Sequence, residues 1–170
     1  MKKMMLVALT VVMAFGLEVG QKPKEVTIGG DNGGYVKDNS PWNSSMIKDK
    51  VYVMFYVDPD EKDKNEHFAQ ELKKKHYDRN RYGSIAMINL AATWKPNFVI
   101  EKILASKQKE FKDTIYVKDK ASVLVKEWGV ADDESDIIIF DKNGIVIFYK
   151  AGKMTPEDMQ QAYKAIEDNL

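Results

Sequence analysis

The chain has 170 residues, with 26 basic and 26 acidic side chains, 44% hydrophobic residues and no cysteine. Its length suits one domain with a core of its own. The even charge balance predicts neither a nucleic-acid footprint nor a polybasic membrane patch, and the lack of cysteine excludes dithiol oxidoreductase and cysteine peroxidase chemistry by this chain.

Lys2 and Lys3 precede an apolar run over residues 4–15, broken only by Thr10, and Ala14-Phe15-Gly16 offers small residues before Leu17. Residues 1–16 are therefore read as a signal peptide and residues 17–170 as the mature domain. The run is shorter than the roughly 20 residues that cross a bilayer, so no stable span is expected after cleavage; an uncut N-terminal anchor is the other reading. Without the leader, 24 basic residues face 26 acidic ones. An exported chain without disulfides takes its stability from packing.

Within residues 22–37, KEVTI, the turn-rich GGDNGG and YVK predict an N-terminal β-hairpin. Val51 to Val57, VYVMFYV, is an uninterrupted apolar strand of the kind covered on both faces. Over residues 60–77 the period becomes helical, with Phe68, Ala69, Leu72 and His76 on one stripe, where His76 is expected at the edge of the core. SIAMINLA, residues 84–91, is a second buried strand, and Thr93-Trp94-Lys95-Pro96 starts a helix bearing Ile100, Ile103, Leu104, Lys107 and Phe111 along one side. TIYVK is a short strand, and a helix with Ala121, Leu124, Val125 and Trp128 follows. Residues 136–140 and 145–149 are strands joined by DKNG, whose Asn143-Gly144 pair suits a tight hairpin. Thr155 as N-cap, Pro156 at the first helical position and a carboxylate that reaches back to the cap open the last helix. Strands alternating with helices and ending in a hairpin predict an α/β sandwich with parallel central strands and an antiparallel edge.

The segments VYVMFYV with its acidic loop, SIAMINL, FKDTIYVKDKASVLVKEWGV and IIIFDKNGIVIFYKAG resemble the thioredoxin-like lineage of peroxiredoxins and exported thiol-disulfide proteins. More narrowly, EVGQKPKEVTI, PWNSS, the segment from Trp128 to FDKNG and KAGKMTPEDMQQ resemble the YtfJ family of exported bacterial proteins, whose function is not established. The resemblance covers nearly all of residues 17–170 and implies a thioredoxin-like three-layer sandwich, preceded by the hairpin, in the periplasm. Laid over FYVDPDEKD, the thioredoxin pattern puts the two redox-cysteine positions at Asp60 and Asp63, and the position of the cis-proline at Ser135. An aspartate forms no mixed disulfide, and a serine there implies an ordinary trans peptide.

In that fold the loop after the first core strand lies beside the loop before residues 136–140. Here both are acidic, with Asp58, Asp60, Glu61 and Asp63 on one and Asp132, Asp133, Glu134 and Asp136 on the other. Gathered carboxylates raise one another's pKa values or recruit a hard cation, which makes Asp60, Asp63, Asp132 and Asp133 candidate ligands for Ca²⁺ or Mg²⁺. The plainer reading is a solvated loop whose acids favour a helix N-terminus, since no DxDxDG spacing is present. Asp63, His67 and Glu71, spaced by four, are a partial metal set or an exposed polar stripe. The lysines at 73–75, with Arg79 and Arg81 beyond, are a contact for phosphate or an acidic partner or, more plainly, a solvated helix end; Trp128 is read as core, and Trp42 and Trp94 as groove-lining or edge-capping. No phosphate loop, HExxH or GxSxG occurs. The expected function is a non-redox binding or interaction module for a periplasmic protein or small ligand, with no cofactor; the alternative is a divalent-cation-dependent enzyme or cation-binding protein built on the acidic loops.

Overall fold

The structure is a computed structural model that describes residues 16–170, so the leader expected at residues 1–16 lies, Gly16 apart, outside the described residues. Along them run β1 (Thr27–Ile28), β2 (Gly33–Tyr35), β3 (Trp42–Asn43), β4 (Val51–Val57), α1 (Glu66–Lys74), β5 (Tyr82–Asn89), α2 (Asn97–Glu110), β6 (Thr114–Asp119), α3 (Val123–Trp128), β7 (Ser135–Phe140), β8 (Val146–Lys150) and α4 (Pro156–Glu167). Six strands form the main sheet in the order β2-β6-β5-β4-β7-β8. β4, β5 and β6 are parallel neighbours, whereas β7, β8 and β2 run antiparallel to theirs. This is the expected α/β sandwich with parallel central strands.

The apolar run of β4 is continuous because both of its faces are covered. Val51 and Val53 pack with Ile137 and Ile139 beneath Phe68 and Leu72 of α1 and Ala162 and Ile166 of α4. Tyr52, Met54 and Tyr56 face the other way, toward Leu124 and Trp128 of α3 and toward Val26, Ile28 and Trp42 of the N-terminal segment. Successive crossovers through α1 and α2 in one direction put both helices on the same face, as right-handed connections require. There Ile100 and Leu104 of α2 pack with Leu90 against Ile88 and Tyr116. α4 starts as its sequence predicts: Thr155 Oγ1 accepts from Asp158 N at 3.1 Å, and Asp158 accepts from Thr155 N at 2.9 Å.

Three expectations are corrected. The hairpin expected between KEVTI and YVK does not close: β1 pairs with β3, and β2 joins the edge of the main sheet against β6. The reason lies in the second glycine pair. Gly33 and Gly34 have φ of 121° and 132°, and a Cβ on Gly33 would sit 1.9 Å from the Lys118 carbonyl oxygen, so these glycines permit close strand approach instead of forming the turn. The helix expected over residues 60–77 is confined to α1, behind a 3-10 turn at Pro59–Glu61. His76 therefore lies past the helix in the left-handed region, with φ of 48°, and is exposed instead of sitting at the core edge.

Candidate functional site

Polar side chains are buried almost only at one end of the sheet. The seven buried polar or charged residues among the described ones are Asp58, Asn65, Asn89, Lys118, Asp119, Ser135 and Asp136. They sit where β4, β5 and β6 end, where β7 begins, and just ahead of α1. A core with only apolar duties has no use for such a row, because each member needs a partner.

Those partners tie the surrounding loops together. Asn89 donates from Nδ2 to Asp132 at 2.9 Å and accepts from Ser122 Oγ at 3.0 Å, linking three loops. Asp119 accepts from Val123 N at 2.9 Å and Leu124 N at 3.2 Å, capping α3 in place of left-handed Ser122, and also takes the Tyr56 hydroxyl at 3.1 Å. Burial pushes that hydroxyl's pKa up. Asn65 is the main pin. Its Nδ2 donates to Ser135 O and Gly152 O, both at 2.9 Å, and its Oδ1 accepts from Met154 N at 2.8 Å, so one amide joins the start of α1 to β7 and to the approach to α4. Sequence reasoning missed Asn65, since a single Asn in a polar stretch carries no local signal.

The two acidic loops do lie side by side. Val57 pairs with Ser135 in the β4–β7 ladder, and the next amide, Asp58 N, donates to Glu134 O at 2.9 Å. Asp58 is buried and accepts from Asp60 N at 2.8 Å; burial raises its pKa. Lys64 bridges the loops, 2.8 Å from Glu61 and 2.6 Å from Glu134, and holds the Glu134 carboxyl below the usual range.

Asp60, expected from the thioredoxin pattern at the first redox-cysteine position, is exposed and held from the β5–α2 loop: Thr93 Oγ1 donates to it at 2.8 Å, and Lys95 Nζ donates to its other oxygen. The Lys95 ammonium, with Thr93, lowers its pKa. Asp63 pairs with Lys62, Asp132 takes Asn89, and Asp133 is exposed on a left-handed backbone with φ of 56°. The four candidate cation ligands thus have separate surroundings, and among the described residues no group of three or more His, Cys, Asp or Glu is arranged to hold a metal ion. Asp63 lies ahead of α1, so it does not share a helix face with His67 and Glu71; His67 Nε2 donates to Met154 O at 3.1 Å and Glu71 accepts from Lys74. Ser135 is buried at the first residue of β7, and the peptide bonds of the described residues are all trans.

Asp136 differs from its neighbours in sequence because it is fully buried. One oxygen accepts from Ala131 N at 2.8 Å and Tyr149 OH at 3.1 Å, while Oδ1 has no hydrogen-bond partner. Burial, offset in part by those donors and by the nearby Gly152 amide, pushes its carboxyl up to about 6. Next to the Asp60 loop, Trp94 keeps 86% of its surface exposed, whereas Trp42 and Trp128 are buried.

Comparison with known proteins agrees with this architecture. The family described as "Bacterial protein of unknown function (YtfJ_HI0045)" matches residues 21–169. The chain is 26% identical over 165 residues to an uncharacterized protein, YtfJ, of Escherichia coli, covering 92% of this chain and 89% of that one. A crystal structure assigned to a thiol:disulfide interchange protein DsbE of Chlorobium tepidum superposes with a TM-score of 0.61 at 18% identity, over 89% of this chain and 99% of that one. The exposed lipoprotein thioredoxin Etrx1 of Streptococcus pneumoniae superposes at 0.55 with 16% identity, over 83% and 98%. At these identities the superpositions establish the fold. The chain belongs to the YtfJ family, and it carries a thioredoxin-like fold from which cysteine is absent.

Proposed function

We propose that the protein is an exported, periplasmic binding or interaction module that works without redox chemistry, through the end of the sheet bounded by residues 58–63 and 131–136. The row of buried polar side chains at that end carries the reading. Open α/β sheets place ligands beyond the carboxyl ends of their parallel strands, and here those ends are stiffened by Asn89, Asp119 and Asn65 while Asp60 and Asp63 stay exposed above them. A rigid base under exposed charged loops is what selective recognition of a partner requires. Export rests on the leader pattern at residues 1–16.

The test is capture of partners from a periplasmic extract with wild type and with an Asp60→Asn/Asp63→Asn variant in parallel. A partner held by the first and lost by the second supports the surface. Identical partner lists remove these loops from the function. Recovery of the chain only in the cytosolic fraction would remove export.

A further inference from the structure

The helix beside this end of the sheet is apolar on both sides. Ile100 and Leu104 of α2 supply its inner face. Yet Trp94, Phe98, Val99 and Ile103 are also exposed, at 86%, 73%, 38% and 51%. At 3.6 residues per turn, Phe98, Val99, Lys102, Ser106 and Lys109 fall on the half of α2 turned away from Ile100 and Leu104, with Ile103 at its margin. Packing explains none of the three apolar side chains Phe98, Val99 and Ile103, and together with Trp94 they form a ridge along the first half of the helix.

We propose that this ridge docks onto an anionic phospholipid surface. Two observations select that occupant. The first is charge: Lys102 and Lys109, both on that outer half of the helix, form no ion pair among the described residues. Lysines flanking Trp, Phe and Ile are the composition of a helix lying in the headgroup region with its apolar side about 5–10 Å deep. A second copy of the chain would bring the same lysines against each other. The second is shape: side chains as exposed as Trp94 and Phe98 project outward, which suits insertion between lipids, whereas a bound peptide would need a groove. Asp60 does not oppose the approach, because Lys95 neutralises it. The even charge of the whole chain conceals this local excess. Among the described residues no helix is long and apolar enough to cross a membrane, so the contact is peripheral.

Tryptophan fluorescence of the full chain tests this directly. Trp42 and Trp128 are already buried and residues 1–15 hold no tryptophan, so a change in emission reports Trp94. Phosphatidylglycerol vesicles are expected to shift the emission to the blue and protect it from acrylamide, and phosphatidylcholine vesicles to do so far less. A Lys102→Glu/Lys109→Glu variant should bind roughly 25-fold more weakly, at about fivefold per lysine. Phe98→Ser/Ile103→Ser should lose the shift while its circular dichroism and melting stay those of wild type, since both positions are exposed. No shift on either vesicle, or equal shifts on both, overturns the proposal. So does a shift produced without vesicles, by an acidic amphipathic peptide or by self-association at high protein concentration. No partner protein enters this measurement, so its outcome is separate from that of the capture experiment.

Discussion

Replacing Asp136 with asparagine should flatten part of the pH dependence of stability and make the protein more stable at neutral pH. Folding takes the carboxyl from its ordinary pKa of 3.8 to about 6, chiefly by removing it from water. The folded state therefore holds this proton more tightly than the unfolded one. Between about pH 4 and pH 6 the folded chain binds the extra proton, so stability falls as pH rises through that window. A difference of about 2.2 units at about 1.4 kcal/mol each amounts to about 3 kcal/mol, fully lost above pH 6. Asparagine is close to isosteric: its carbonyl can take over the bonds from Ala131 N and Tyr149 OH, and its amide would take the place of Oδ1, which makes no hydrogen bond, with the Gly152 N–H near the group as the one opposing donor. Urea unfolding of both proteins in half-unit steps from pH 3.5 to 7.5 is the assay. The variant is expected to match wild type at the acid end and to exceed it by about 3 kcal/mol at the neutral end, or about 6–12 °C in melting temperature for a chain of this size. Carboxylates whose pKa values are lowered, such as Glu134, act in the opposite sense in both proteins and cancel in the difference. A difference that does not change with pH would show that folding leaves this carboxyl unshifted, and a variant that loses ground as pH rises would show that the anion is stabilised; either outcome contradicts the raised pKa.

Other perturbations test the frame of the site. Asn65→Ala removes the bonds to Ser135 O, Gly152 O and Met154 N, and unpaired buried groups cost about 1–3 kcal/mol each, so denaturant titration should show a loss of about 3 kcal/mol or more. Asn65→Asp, which keeps only the acceptor, should also destabilise. Gly33→Ala should cost at least about 1–3 kcal/mol from its backbone conformation alone and speed hydrogen exchange along β2 and β6; protection like that of wild type would contradict the close approach to Lys118. Millimolar Ca²⁺ or Mg²⁺ should leave the melting midpoint within about 1 °C of that in EDTA, because lysines already pair with Asp60, Asp63, Glu61 and Glu134. A site at a hundredfold excess of ion would gain about 2.7 kcal/mol, so a rise of several degrees would favour the cation-dependent alternative.

What the sequence revealed and what it hid follow from the range of the interactions. β4 is legible because burial on both faces leaves seven apolar residues in a row, and α4 because its cap is written in four consecutive residues. The β7–β8 turn is legible too, although only Gly144 of the Asn143-Gly144 pair takes a positive φ, and Asp141 completes the turn by accepting from Asn143 N and Ile145 N at 2.8 Å each. The N-terminal hairpin misleads because local glycines suggest a local turn, while the true partner of β2 lies in β6, about eighty residues away. Asp136 reads as one more loop acid, but it is the second residue of the buried strand β7, paired opposite Tyr56. The hold of Lys95 and Thr93 on Asp60 spans more than thirty residues and has no sequence signature. The outward apolar residues of α2 mislead in another way, since hydrophobicity alone places Ile103 inside with Leu104.

In the function proposed above, this thioredoxin-like chain meets its partner at the end of the sheet that carries the acidic loops. Site-specific photo-cross-linking in living cells tests it most directly, with a benzoylphenylalanine placed in turn at Asp60, Asp63 and Asp133, and at Arg79 and Asn143 toward the opposite end. Discrete adducts are expected from the first three positions and none from the other two. Adducts only from Arg79 or Asn143, or from all five alike, would contradict it.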